Sequence, residues 1–358
     1  MKNNKTRLMA FLHGDGIVRM ESCEFPEPAP NEVTIRVDVS LISPGTEMNP
    51  IRHYRAEPDP GMKPKPFGYA CAGEITAING ESRGLKIGDR AFAMGPGAKH
   101  ANWINVPINL VVPLPERVSL ADSTFACLAA TSLHAVRRAA PGLGDYGLVL
   151  GGGIVGNLAA QLSSLSGARV MLWESIGGRR KIARAARLKN LADPKRRDTD
   201  ELTRKFAEPY GFDFSIFAFG GNAKESLSRV QNLMKLSADG HRMGRIVLVG
   251  GCLIEMGGGA ASGNLDILSA ARTGPGYHDP AWEYGRDYPN AFVPHTTAWN
   301  LRECLQLIAE KRLLVSPMIT TTVSLEKINS AADLLLNDPG RTMGVIVEMP
   351  HGPTEGGK

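Results

Sequence analysis

Residues 32–39 read EVTIRVDV, apolar and polar side chains in alternation, which is the period of a half-buried strand. Pro26, Pro28 and Pro30 punctuate the turn before it. Strand and turn signals run over 8–40, then through 68–90 with Gly73, Gly80, Gly84 and Gly88 at turns, and again at 103–107. Up to about residue 120 the chain therefore reads as β-rich and loop-rich. The period then changes. Ala and Leu fall at helical spacing over 120–140, a short apolar run follows at 146–150, and a glycine turn opens an Ala/Leu helix over 151–166. A second buried strand is predicted at 170–173, then a basic helical stretch, then apolar runs at 212–217 and 245–249 with a helix between them. Strands alternating with helices predict a parallel, doubly wound sheet. Beyond about 275 the text is rich in Gly, Pro and aromatics before helices at 300–311 and 327–336 and a last strand at 345–349. No internal repeat is visible, and the tail 351–358, with three glycines and a proline, is expected to be disordered.

At 358 residues the chain is long for one domain and comfortable for two. Apolar residues make up 43% and charged residues 22%, the balance of a globular protein with a core of useful size. No window approaches about 18 consecutive apolar residues, and no apolar run follows the charges of the N-terminus, so neither a membrane span nor a secretory signal is expected and the location is read as cytoplasmic. The five cysteines, Cys23, Cys71, Cys127, Cys252 and Cys304, are odd in number and widely spaced; without a CxxC pair they predict reduced thiols, not a disulfide framework or a zinc knuckle. The net charge of +5 is concentrated between Arg179 and Arg197, where nine basic residues meet one acid, Asp193. That segment has no aromatic residue to stack on bases. It reads as a solvated helix face close to a bound phosphate, and no nucleic-acid partner is expected.

Residues 148–156 read LVLGGGIVG, placing Gly151, Gly153 and Gly156 in a GxGxxG spacing between a predicted strand and a predicted helix. In that context the first glycine permits a tight turn, the second lets backbone approach a pyrophosphate, and the third lets helix and strand pack closely. The helix N-terminus offers free N–H groups to the anion. Glu174 closes the second strand 18 residues beyond the last glycine, where a carboxylate accepts from both ribose hydroxyls and repels a 2′-phosphate. NAD is therefore expected, with NADP left open by Arg179 and Arg180 nearby.

With these landmarks in order (43–47 SPGTE, 68–73 GYACAG, 85–90 LKIGDR, 127–131, then the glycine turn) the chain resembles the medium-chain dehydrogenase/reductase superfamily, the zinc-type alcohol dehydrogenase-like group. The resemblance implies an α/β fold: a GroES-like β-rich catalytic domain over 1–127 and 275–358, interrupted by a Rossmann dinucleotide-binding domain over 128–274. It also implies a small-molecule substrate and a homo-oligomer, dimer or tetramer. The departures bear on mechanism. Where zinc members carry a Cys in the first motif, Pro44 stands here; where they carry His-Glu, Tyr69 and Ala70 stand; the third ligand position falls on Cys127. One thiol cannot replace three protein ligands, and the four-cysteine structural lobe is missing between Gly95 and Trp103, so no zinc is expected.

Without a metal, hydride transfer from a carbinol needs a positioned acid/base group. By the resemblance Tyr69 takes that place, its pKa lowered by the nicotinamide cation, and Thr46 relays the proton. Thr131 lies against the nicotinamide, and Gly250 and Gly251 end a strand where ligands sit in open α/β sheets. His53, Tyr54, His100, Tyr277 and His278 are secondary candidates, with His100 read as an anchor for the strand at Trp103 and no chemical role given to Glu47. The loop 274–288 resembles that of zinc-poor members acting on sugars, cyclitols and secondary metabolites. The expectation is a zinc-independent NAD(H) alcohol dehydrogenase or ketone reductase for such a substrate. The alternatives are an NADPH-dependent quinone or enone reductase, and a non-catalytic cofactor-binding protein.

Overall fold

A computed structural model describes residues 5–257 and 259–350, apart from the side chains of 261 and 262; the tail read as disordered lies outside them. The chain divides into two units. One takes the chain up to Cys127, Pro275–Ala309 and the chain from Ile319 onward, and the other takes Leu128–Gly274 and Glu310–Met318.

The first unit is built on a seven-stranded sheet in the order Ile319–Ser324, Gly344–Glu348, Glu32–Ile42, Ala70–Asn79, Arg90–Met94 and Val111–Pro113, with Trp103–Pro107 also paired to Glu32–Ile42. The strand expected at 32–39 is longer than its alternation suggested, and Val33, Ile35, Val37, Leu41 and Ile42 are all buried. It is antiparallel to Gly344–Glu348, Ala70–Asn79 and Trp103–Pro107, so both of its edges are paired. A second sheet joins Val18–Glu24, Thr6–Leu12 and Lys65–Pro66.

In the second unit six parallel strands run in the order Asn190–Ala192, Arg169–Trp173, Tyr146–Leu150, Phe214–Phe217, Met243–Leu248 and Asn264–Ser269. Counted along the chain this is the doubly wound order 3-2-1-4-5-6, whose ligand position lies where the order reverses, at the carboxyl ends of Tyr146–Leu150 and Phe214–Phe217. Leu148, Leu150, Trp173, Phe212, Phe217, Leu227, Val230 and Ile246 form its core.

Two boundaries differ from the sequence expectation. The basic stretch is helical only over Gly177–Ala185; Arg187 turns at φ 64° and Asn190–Ala192 joins the sheet beside Arg169–Trp173. Strand pairing overrides local helix propensity there. Glu310–Met318, read with the last segment, belongs to the second unit, because the buried amide of Gln161 donates to Leu314 O (3.0 Å) and accepts from Leu314 N (2.8 Å). Among the described residues no helix is long and apolar enough to cross a membrane, and all five cysteines are free thiols.

Candidate active site

The three glycines sit together at the switch point of the six-stranded sheet. Gly151 has φ 92°, the left-handed region that favours glycine, and a Cβ there would stand 2.9 Å from Ala218 O. Gly153 precedes the helix Ile154–Leu165, and a Cβ on it would meet no atom within 4 Å. Its backbone therefore faces open space at a helix N-terminus, the geometry that receives an anion. Gly156 is closed in: a Cβ there would lie 1.7 Å from Gly151 O and 3.1 Å from the Ala218 methyl. Gly250 lies just past Met243–Leu248, its N–H donating to Phe217 O (3.0 Å) and its Cα against the Phe219 backbone. Thr131 is half-buried on the helix Ala126–Ala139.

Glu174 follows Arg169–Trp173, is buried, and is turned onto the backbone around it. Gly152 N–H donates to its Oε2 (2.7 Å) and Ile176 N–H to its Oε1 (2.7 Å). One carboxylate thus ties the glycine turn to the start of the next helix, while each oxygen keeps a lone pair for a ribose hydroxyl. Arg180 donates to Glu174 O (2.6 Å) and pairs with Asp193 (3.1 Å); the Arg179 guanidinium stands 3.9 Å from the Glu174 carboxylate.

The other cluster is in the first unit, where the strand Glu32–Ile42 runs into the turn before the helix Met48–Ala56. Ser43 and Glu47 close that turn on each other: Ser43 N–H donates to Glu47 Oε2 (2.6 Å) and Glu47 N–H to Ser43 O (3.2 Å). The other carboxylate oxygen meets His100 Nε2 at 2.9 Å, and His100 Nδ1 meets Ser40 Oγ at 2.6 Å. Ser40, Ser43, Glu47 and His100 are all buried. His100 also holds the segment leading to Tyr69: its N–H donates to Phe67 O (2.9 Å), and Gly68, at φ 109°, leaves no room for a Cβ, which would stand 2.4 Å from His100 N. Gly95 N–H then donates to Tyr69 O (2.9 Å).

Tyr69 is half-buried, and its phenol is pushed well above the ordinary tyrosine range, first by loss of water and then by the Cys127 and Glu47 side chains; the hydroxyls of Ser43 and Thr46 face it and act the other way. The protein's own groups therefore favour the protonated form of Tyr69; the lowering expected from the sequence rests on the nicotinamide cation and not on these groups. Thr46 is exposed and Cys127 buried. Burial pushes the Cys127 thiol up to about 12. These positions do not fit a zinc ion. Pro44 and Ala70 offer no donor, Tyr69 is a phenol among hydroxyls, and Cys127 is a single thiol where three protein ligands are needed. Among the described residues no group of three or more His, Cys, Asp or Glu side chains is placed to hold a metal.

The structure brings Tyr69 and Thr46 together and adds Ser43, Glu47, His100 and Ser40, to which the sequence gave at most an anchoring role. The four-residue spacing of Ser43 and Glu47 is a local signal for their clasp; nothing local links His100 to Ser40, 60 residues away. Of the secondary candidates, His53 is exposed, its ring 5.0 Å from that of Tyr54, which accepts from Lys65 Nζ (3.3 Å). Tyr277 and His278 pair their rings at 4.0 Å on a loop fastened by Asn109 to Trp282 O (2.6 Å) and by Arg83 to Asp287 (2.6 Å).

One unit with a six-stranded parallel sheet and a glycine turn at its switch point, and one sheet-rich unit assembled from both ends of the chain, are the two parts of a dehydrogenase/reductase architecture. No family model matches the sequence. It is 29% identical over 216 residues to 2-desacetyl-2-hydroxyethyl bacteriochlorophyllide A dehydrogenase of Cereibacter sphaeroides, covering 56% of this chain and 66% of that one. It is 23% identical over 360 residues to sorbitol dehydrogenase of Mus musculus, covering 89% and 90%. The chain spans between 12% and 66% of the lengths of the first curated relatives it matches. An alcohol dehydrogenase of Escherichia coli complexed with NADH shares its fold at a TM-score of 0.70 and 15% identity, over 96% of this chain and 99% of that one. Another solved neighbour, from Sinorhizobium meliloti, is bound to NADP (TM-score 0.73, 20% identity, 96% and 99%). These curated relatives and solved neighbours are medium-chain dehydrogenases and zinc-binding dehydrogenase-like oxidoreductases, and this chain is similar to them across both of its units.

Proposed function

We propose that this protein moves hydride between NAD(H) and a secondary alcohol or its ketone without a catalytic zinc, on a polyol, cyclitol, sugar-like or secondary-metabolite substrate. The observation that carries this reading is the corner around Tyr69, where the metal donors of the superfamily are replaced by a protonated phenol flanked by two hydroxyls. Bound nicotinamide supplies or accepts the hydride. Gly151, Gly153 and Gly156 with the helix Ile154–Leu165 hold the pyrophosphate, Glu174 holds the ribose, and Thr131 and Gly250 line the cofactor's path. Tyr69 donates its proton to the carbonyl oxygen as that oxygen becomes a hydroxyl, and Thr46, exposed, returns a proton from water. A phenol with a raised pKa rests in its protonated form, the form that ketone reduction consumes. Relatives named for sorbitol and bacteriochlorophyllide oxidation support the alcohol–ketone chemistry.

A thermal-shift comparison of NADH and NADPH, followed by the nicotinamide absorbance with a panel of polyols, cyclitols and their ketones, tests the reading. Cofactor binding without turnover on any member of the panel points instead to a non-catalytic cofactor-binding protein. Metal analysis of the purified chain is expected to find no stoichiometric zinc, and a chelator to leave turnover unchanged; one tightly held zinc per chain overturns the mechanism.

Glu174→Ala is expected to weaken NADH about 10–100-fold, the worth of a lost hydrogen bond to a charged group. NADPH suffers less, since the repelling charge goes too. Both cofactors lose something, because Gly152 N–H is left without its acceptor, so the deciding number is the NADH to NADPH affinity ratio. A ratio equal to that of the unmodified protein rejects Glu174 as the discriminator. A second reading, an NADPH-dependent quinone or enone reductase, is favoured by Arg179 beside Glu174, and predicts tighter NADPH than NADH in the unmodified protein.

A further inference from the structure

The residues behind Tyr69 form a continuous buried chain that the hydride-transfer reading does not use. It starts in mid-strand at Ser40, whose Oγ meets His100 Nδ1 at 2.6 Å. It crosses the imidazole to Glu47 Oε1 at 2.9 Å and ends at Glu47 Oε2, which accepts from Ser43 N–H at 2.6 Å. Ser43 is buried and its hydroxyl, like that of Thr46, faces the Tyr69 phenol. Every group on the path has its chemistry matched. An ionised carboxylate only accepts, so Nε2 carries the proton toward Glu47, and Nδ1 is left for the serine hydroxyl.

Enclosure excludes other uses. Ser40 and His100 have no accessible surface and Glu47 is 5% exposed, so a serine–histidine–carboxylate set of this kind has no path to a substrate. Its two ends hold the two backbone segments that meet at Tyr69. Through Glu47 it sets the turn that carries Ser43 and Thr46. Through the His100 backbone and the face of its ring, which leaves room only for Gly68, it sets the segment 67–69. A buried polar network with every partner in place rigidifies what it touches.

We propose that Ser40, His100 and Glu47 are positioning residues for the reaction: together they fix the turn 43–47 against Tyr69, so that the Ser43 and Thr46 hydroxyls meet the phenol in one geometry. This rests on the assignment of Tyr69 as the acid/base group. The titratable groups facing Tyr69 are Cys127 and Glu47; those facing Glu47 are His100, Lys99, Cys127 and Tyr69 itself, with Arg7 beyond Lys99. Removing the Glu47 charge removes one of the groups that keep the phenol protonated. The alkaline limb of the rate profile, on which Tyr69 must still hold its proton, then moves to lower pH.

The experiment compares Glu47→Gln, Ser40→Ala, Ser40→Thr and Tyr69→Phe in the full-length chain, with NADH affinity and melting temperature as checks of folding. Glu47→Gln and Ser40→Ala are expected to lower kcat by about 10–100-fold, the cost of a small misplacement of a reacting group. KM and NADH affinity should stay within about twofold, inside the usual scatter of such measurements. Glu47→Gln alone should also displace the alkaline limb downward, and Ser40→Thr, which keeps the hydroxyl, should restore kcat. Wild-type kcat and pH profile in Glu47→Gln and Ser40→Ala, with only the melting temperature reduced, overturn the inference in favour of a purely structural network. If Ser40→Ala does not fold, Glu47→Gln decides by the same readouts. Tyr69→Phe separates the two levels. An impaired Tyr69→Phe beside unimpaired network variants removes this inference alone, and an unimpaired Tyr69→Phe removes the acid/base assignment and this inference with it.

Discussion

Tyr69→Phe is expected to lower turnover by about 10²–10⁴-fold, the usual worth of a general acid or base, with NADH affinity unchanged. Only a hydroxyl is lost from a half-buried ring, so the fold should hold, and the glycine turn belongs to the other unit. Thr46→Val should cost a smaller or similar factor. Its side chain is exposed and is only one of two hydroxyls facing the phenol, the other being the buried Ser43. Steady-state kinetics at saturating cofactor, together with a melting curve, make the measurement. Wild-type turnover in Tyr69→Phe means that the ring only fills the vacated metal position, and Tyr277 and His278 become the next side chains to vary.

A second large effect is expected from two substitutions that lie three residues apart in sequence but act differently. Gly156→Ala puts a methyl where it would lie 1.7 Å from Gly151 O, between helix and turn, so the backbone itself has to move. Overpacking of this kind costs about 3 kcal/mol or more at a site closed by backbone, and should lower the melting temperature and abolish cofactor binding together. Gly153→Ala meets no atom within 4 Å. It should melt like the parent and still bind NADH about 10–100-fold more weakly, because the methyl stands where backbone N–H groups reach the pyrophosphate. Equal NADH affinity in Gly153→Ala and the parent removes this turn as the phosphate site, and a parent-like melting temperature in Gly156→Ala contradicts the packing described.

The second unit was the more legible part of the sequence. Its strands are short apolar runs, its helices have an Ala/Leu period, and the glycine spacing ties one of each together, so type and order follow from neighbours in the chain. What stayed hidden depends on partners brought from elsewhere. Both edges of Glu32–Ile42 are paired by three strands that come from elsewhere in the chain. The short strand Asn190–Ala192 exists because Arg169–Trp173 offers it an edge. In the site, Pro44, Tyr69 and Ala70 could be read one by one against a known motif, so the departure from that motif was visible. The direction in which the phenol is held was not, because it follows from burial and from Cys127 and Glu47 arriving from separate elements. His100 offers the sharpest case: as a lone histidine it carries no signal, and its meaning comes from Glu47 and Ser40, 53 and 60 residues away.

The clasp between Gln161 and Leu314 has a consequence for how the protein is made. Residues 128–274 leave the ribosome well before 310–318, so the nascent cofactor-binding unit waits, with the Gln161 amide holding its bond to Asn157 but lacking both bonds to Leu314, until a later stretch of polypeptide emerges to complete it. A fragment cut at Gly274 would remain in that state. Two lost hydrogen bonds cost about 1–3 kcal/mol, a large share of the margin on which a domain of this size stands. Expressed alone, residues 128–274 should therefore be a poor binder of NADH, while a version with 310–318 joined back through a short linker should recover, because the cofactor-binding half of this chain is not a cassette that ends where its sheet ends.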